Sequence, residues 1–185
     1  GDFAAGMPAG ELPVTRFLAA LRDLDKPVVA AVNGLAIGVG LTMLLHCDLA
    51  LAADTASFRA PFAQLGLVPE AASSLLLPMT VGMAWANEIL LAGRTLTAAE
   101  AASIGLVSRV MPAADLPAAA AALVQELADL APGAVQGTKR LVRRHRQLVI
   151  EQMAAESALF GHQLQSAEFR EAATAFMQRR KPVFA

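Results

Sequence analysis

PVVAAVNGLAIGVGLTMLLHCDLALAADTASFRAPFAQLGLVPEAASSLLLP, residues 27–78, decides how the chain folds. Val28 to Val32 is a short, β-branched, apolar run, which predicts a strand buried on both faces. Asn33-Gly34 ends it with a turn signal. Gly38-Val39-Gly40 leads into LTMLLHCD, a predicted short apolar helix, and Asp48 to Ala53 returns to extended structure. Ser57 to Pro61 reads as another short strand. Strand, glycine turn, helix and strand in that order imply a right-handed crossover and a mainly parallel sheet. Gly66-Leu67-Val68-Pro69 reads as a loop, with Pro69 suited to the first turn of a helix that carries Glu70.

Working outward, Gly1 to Pro13 is rich in Gly, Pro and Ala and reads as a loop or a cut end. Val14, Phe17, Leu18, Leu21 and Leu24 share one helical face. That helix must stop before Lys26-Pro27, because a proline steers its predecessor out of the helical region. On the other side, Met83 to Leu91 is a helix ended by Gly93. Thr97-Ala-Ala-Glu100 is a capping box that starts the next helix, which ends near Gly105. Val107 to Val110 is a short strand. Asp115 to Leu130, Val135 to Gln147, Ile150 to Gln165 and Ala167 to Arg179 read as four helices. The expected organisation is an α/β core over residues 1–112 and a helical oligomerisation region over 113–185, with no period clean enough for a repeat.

The 185 residues suit one domain, and 56% of them are hydrophobic, so a core is easily filled and apolar surface remains for a partner. A net charge of -1 gives no global field for nucleic acid or an anionic membrane. Cys47 is the single cysteine and cannot form an internal disulfide, which fits a reducing, cytoplasmic setting. The first residues lack the basic and apolar regions of a signal peptide. Leu35 to Ala53 is apolar enough to raise a membrane span, but Gly38, Gly40, Thr42, His46 and Asp48 interrupt it.

Two features could carry chemistry. Glu70 is either an acid favoured by a helix dipole or a base. Its neighbours Leu65, Leu67, Val68, Pro69, Ala71 and Ala72 would raise its pKa and make it the better base. Gly38-Val39-Gly40 is either close backbone packing or an exposed N–H pair fit for an oxyanion. The dinucleotide fingerprint fails, since Met43 holds the final glycine position. His46-Cys47-Asp48 has no accompanying metal spacing, so a buried thiol and a satisfied His/Asp pair are expected, with no metal site. Lys139, Arg140, Arg143, Arg144, His145 and Arg146 form one dense basic patch, read as a solvated helix face or a subunit contact that could also attract an anionic ligand.

Taken together, KPVVAAVNGLAIGVG, HCDLALAADTASFRAPFAQLGLVPE and the closing AEFREAATAFMQRRKPVF resemble the enoyl-CoA hydratase/isomerase family, the crotonases. The resemblance implies a spiral of strand-strand-helix units and a C-terminal helical region that builds a homotrimer or a dimer of trimers. It also implies an acyl-CoA thioester substrate, with coenzyme A part of that substrate and no separate cofactor. Two backbone N–H groups would hold the enolate, one of them falling on Val39. The other belongs to an N-terminal motif of which Gly1-Asp2-Phe3 looks like the tail, so the N-terminal part of the fold is expected to be missing.

Hydratases of the family use two glutamates, and the matching positions here hold Thr42 and Phe62. The segment PFAQLGLVPEAASSLLLP instead resembles the 3,2-enoyl-CoA isomerase branch, which keeps one glutamate at Glu70. One base is enough to take a proton from C2 and return it to C4. Gly38, Gly40, Thr42, Phe62, Leu67 and Pro69 would line the substrate, with Phe62 and Leu67 excluding water. A hydratase acting through Glu70 alone, and a non-catalytic scaffold, are the competing readings.

Overall fold

The computed structural model describes residues 13–184. The reading of residues 1–12 as a loop, and the motif remnant Gly1-Asp2-Phe3, lie outside the described residues. Helix α1 (Pro13–Asp23) buries Leu18 and ends ahead of Lys26-Pro27. Strand β1 (Val29–Val32) follows, then β2 (Leu35–Ile37), the one-turn helix α2 (Val39–Thr42), β3 (Leu49–Ala53) and β4 (Ser57–Arg59). A 3-10 turn, Met43–His46, continues α2, so the predicted single helix is one α turn and one tighter turn.

The strands form two sheets rather than one. In the first, β3 lies between β1 and β6 (Arg109–Met111), all parallel, with Val29 opposite Leu49 and Leu51 opposite Arg109. In the second, β2 and β4 are parallel and β5 (Leu96–Thr97) is antiparallel to β4. The Asn33-Gly34 turn therefore carries the chain from one sheet to the other instead of ending extended structure. Alternation along β3 explains why it is buried on both faces. Ala50 and Ala52 enter the main core with Leu41, Leu44, Phe58 and Leu77. Leu51 and Ala53 meet Leu116 and Leu123 of α6 (Leu116–Ala128) on the opposite side.

Two helices carry the chain from the site to β5: α3 (Ser73–Val81) and α4 (Met83–Leu90), separated by Gly82. The helix predicted to begin at Pro69 begins instead at Ser73. Ala71 and Ala72 both take left-handed backbone angles, φ 60° and 54°, which break any helix running in from Pro69. Both are buried against Leu18, Val149 and Met153, and that packing offsets the local penalty. The capping box of α5 (Ala98–Ser103) forms as expected: Glu100 N–H donates to Thr97 Oγ1 at 3.2 Å, and Thr97 N–H donates to Glu100 Oε2 at 2.9 Å.

After β6 the described chain is helical: α6, α7 (Pro132–Val142), α8 (Arg146–Gln163) and α9 (Ala167–Met177). The break between α7 and α8 falls earlier than the predicted one. Arg143 turns its guanidinium to the His46 carbonyl at 2.6 Å and to Asp48 at 3.0 Å, away from the helical path. The start of α9 presses on Gly66, where φ is 65° and any Cβ would stand 2.8 Å from the backbone of Glu168 and Phe169. No single helix among the described residues is long and apolar enough to cross a membrane.

Candidate active site

The site is assembled around α2. Gly38 precedes it with φ 57° and ψ -120°, a conformation open to glycine and strained for any other residue. Its N–H donates to the Arg59 carbonyl on β4 at 2.9 Å, and its carbonyl accepts from Leu41 and Thr42 at 2.9 and 3.0 Å. A Cβ at Gly38 or Gly40 would meet nothing within 4 Å, so close packing within the chain is not what calls for glycine here. The N–H groups of Val39 and Gly40, first in the helix, have no backbone acceptor among the described residues. Val39 itself is exposed.

Thr42, at the other end of the same turn, is fully buried. Its hydroxyl donates to Glu70 Oε1. Four residues of helix rise only about 4.5 Å, so the carboxyl is tied to the far end of the turn that shows its free N–H groups. Burial pushes the Glu70 carboxyl above its ordinary 4.5, the Thr42 hydrogen bond pulls it partly back, and the Glu156 carboxyl adds a further upward push. No cation pairs with Glu70 among the described residues.

The backbone after Glu70 is held at every carbonyl. Glu70 O accepts from Ser73 N–H at 3.0 Å, and Ala72 O from Leu75 and Leu76 N–H at 3.0 and 2.8 Å. Ala71 O stands 2.7 Å from Nε2 of His46, a side chain only 1% exposed. Burial lowers the His46 pKa, which keeps the ring neutral, and a carbonyl partner requires that Nε2 carry the proton. His46 is thus satisfied by backbone rather than by its neighbour Asp48.

Asp48 is satisfied elsewhere. It accepts from Lys139 Nζ at 2.8 Å, Arg143 at 3.0 Å and Val28 N–H at 2.8 Å. Two members of the basic patch are therefore structural ties, and a third, Arg146, pairs with Asp23. Among the described residues no three His, Cys, Asp or Glu side chains gather closely enough to hold a metal ion. Cys47 is half-buried, and burial raises its thiol pKa, the reverse of an activated thiolate.

Of the remaining predicted lining residues, Phe62 is buried in the main core and Leu67 packs against that core, while Pro69 is half-buried beside Glu70. Two concavities, of about 360 and 390 Å³, lie elsewhere, one along α1 and the α7–α8 junction and the other between the 3-10 turn and residues 102–108. Neither is lined by Glu70 or Val39. Glu156 escaped the sequence reading. A signal was present, since Val149, Met153, Glu156 and Phe160 follow the 3-4 spacing of one helix face, with an acid in an apolar place.

The model of the enoyl-CoA hydratase/isomerase family matches residues 10–185. The carnitinyl-CoA dehydratase of Proteus mirabilis is 37% identical over 98% of this chain and 69% of its own length. The crystal structure of an enoyl-CoA hydratase/isomerase from Pseudoalteromonas atlantica T6c superposes with a TM-score of 0.94 at 52% identity, over 97% of this chain and 73% of that one. The structure of Pseudomonas aeruginosa OdaA gives 0.91 at 40% identity, over 96% and 73%. With the two-sheet fold and the glycine turn leading into a buried one-turn helix, these matches establish that the chain belongs to the enoyl-CoA hydratase/isomerase family and has the crotonase-like α/β fold.

Proposed function

We propose that the chain serves an acyl-CoA isomerase, moving the double bond of a 3-enoyl-CoA into conjugation with the thioester. Glu70 takes a proton from C2, and the electron pair moves onto the thioester oxygen as a dienolate. The Val39 N–H donates to that oxygen while the charge is present. Glu70 then returns its proton to C4, leaving the 2-enoyl-CoA and a carboxylate ready for the next cycle. The observation that carries this reading is the Thr42–Glu70 hydrogen bond: a neutral hydroxyl, at a position where the hydratases carry an acid, serves the one carboxyl at the turn. A hydroxyl donor stabilises the carboxylate without competing for its proton.

A dehydratase reading is favoured by the name of the Proteus mirabilis relative. In that case Glu70 would take the C2 proton of a 3-hydroxyacyl-CoA and pass it to the C3 hydroxyl, which leaves as water as the C2–C3 double bond forms. Supplying the protein with 3-enoyl-CoA and with 3-hydroxyacyl-CoA in parallel separates the two. We expect conversion of the first to exceed conversion of the second; the opposite order makes the chain a dehydratase, and saturable binding of neither makes it a scaffold. Assembly as a homotrimer or a dimer of trimers through the C-terminal helices is part of the same proposal. Leu141, Val142, Phe176 and Met177 are each at least 75% exposed there, which supports a covering partner. Light scattering on the purified protein gives the subunit number.

A further inference from the structure

The loop that carries Glu70 is shaped by a helix remote from it in sequence. Helix α3 has no side-chain cap of its own: its N-cap is Ala72, in the left-handed region, and the Ser73 hydroxyl is buried without a partner. The first N–H groups of any helix need acceptors from outside it. Here the acceptor comes from α8. Glu156 Oε1 accepts from the Ser74 N–H at 3.0 Å and from the Ser74 hydroxyl, while Gln152 Nε2 donates to that hydroxyl at 2.8 Å. Glu156 is only 6% exposed, and its Oε2 has no partner among the described residues.

The same face of α8 carries Val149 and Met153, which pack on Ala71 and Ala72. One helix face thus both buries the left-handed pair and caps the helix that follows it. A buried acid on that face would be a poor choice for packing alone. Burial lifts the Glu156 carboxyl above its ordinary range against the pull of its Ser74 bonds, so the acid is held there at a cost in stability.

We propose that Glu156 is a positioning residue: its hold on Ser74 fixes the start of α3 and, through Ala71-Ala72, sets where the Glu70 carboxyl stands against Thr42 and the Val39 turn. This rests on the reading of Glu70 as the base. It gives the C-terminal helical layer a part in the chemistry besides any part in assembly.

Steady-state kinetics on 3-enoyl-CoA test it, with Glu70→Gln measured alongside. Glu156→Ala removes the acceptor, and kcat should fall ~30-fold with KM changed less than ~2-fold, since a base displaced by a fraction of an ångström still leaves binding intact. Glu156→Gln keeps a carbonyl acceptor for Ser74 and should restore kcat to within ~3-fold of wild type. A folded Glu156→Ala protein with unchanged kcat overturns the inference, as does a Glu156→Gln protein as slow as Glu156→Ala. If Glu156→Ala does not fold, Ser74→Ala decides: it keeps the Ser74 N–H bond to Glu156, loses the hydroxyl's bonds with Glu156 and Gln152, and should lower kcat ~5-fold at constant KM, and an unchanged kcat overturns the inference. Turnover that survives Glu70→Gln overturns instead the reading of the base itself.

Discussion

Asp48 and Glu70 both follow the short helical segment of residues 39–46 in sequence, and the fold treats them oppositely. Asp48 is bound by two cations and a backbone N–H. Glu70 has one neutral hydroxyl and no cation among the described residues. The first arrangement fixes a carboxylate so firmly that it can only be structural, tying α7 to the 3-10 turn and to the residue before β1. The second leaves a carboxyl half-dry with its proton affinity raised, which is what proton transfer near neutral pH asks for. The difference teaches that pairing, more than residue type or burial, sets these two acids apart, and it supports the proposed role of Glu70 as the base.

The contrast breaks most sharply at Glu70. Glu70→Gln keeps the shape and the Thr42 contact but cannot take a proton, and isomerisation should fall by ~10³-fold or more while acyl-CoA still binds. The same change should raise thermal stability at pH 7. A carboxyl whose folded pKa is raised favours folding below its unfolded value and loses that contribution as pH rises through the folded one. At neutral pH the buried charge therefore opposes folding, and Gln removes it. A melting temperature below that of wild type would show that Glu70 is, after all, a structural acid.

At Asp48 the expected loss is of structure. Asp48→Asn leaves Lys139, 8% exposed at its side chain, and Arg143 without their anion. The pair is partly solvated, so a cost of about 2 kcal/mol, seen as a melting temperature several degrees lower, is the expected size. Turnover per folded molecule should hold; a large loss of kcat without loss of stability would mean that the cluster reaches the site.

The smallest effect sharpens the comparison. Thr42→Val preserves shape and burial but removes the hydroxyl that pulls the Glu70 pKa downward. The acidic limb of the kcat–pH profile, where the base becomes protonated, should move to higher pH. Movement to lower pH would show that the hydroxyl opposes the carboxylate.

The strands at Val29–Val32 and Leu49–Ala53 were legible because β-branched or wholly apolar runs between turn signals leave few alternatives. Leu35–Ile37 was not. Its three residues alternate exposed, buried, exposed, too short a pattern to stand out from the apolar run around it. The helix expected from Pro69 failed for a deeper reason. Alanine is the best local helix former, yet Ala71 and Ala72 take the left-handed region because Leu18, Val149 and Met153, from both ends of the described chain, enclose them.

By itself the sequence determined the glycine turn, the capping box at Thr97, the acid at Glu70 and the family resemblance. Each rests on residue identity and near-neighbour backbone preference, which travel with the chain wherever it folds. Only the tertiary structure decided that Glu70 leaves the helix and that Thr42 holds it. The same holds for Asp48, spoken for by Lys139 and Arg143, and for Glu156, which reaches Ser74 across 82 positions. A carboxyl's proton affinity depends on what dries it and what donates to it. Those neighbours are assembled from distant segments, so their effect is fixed when the core closes and not before.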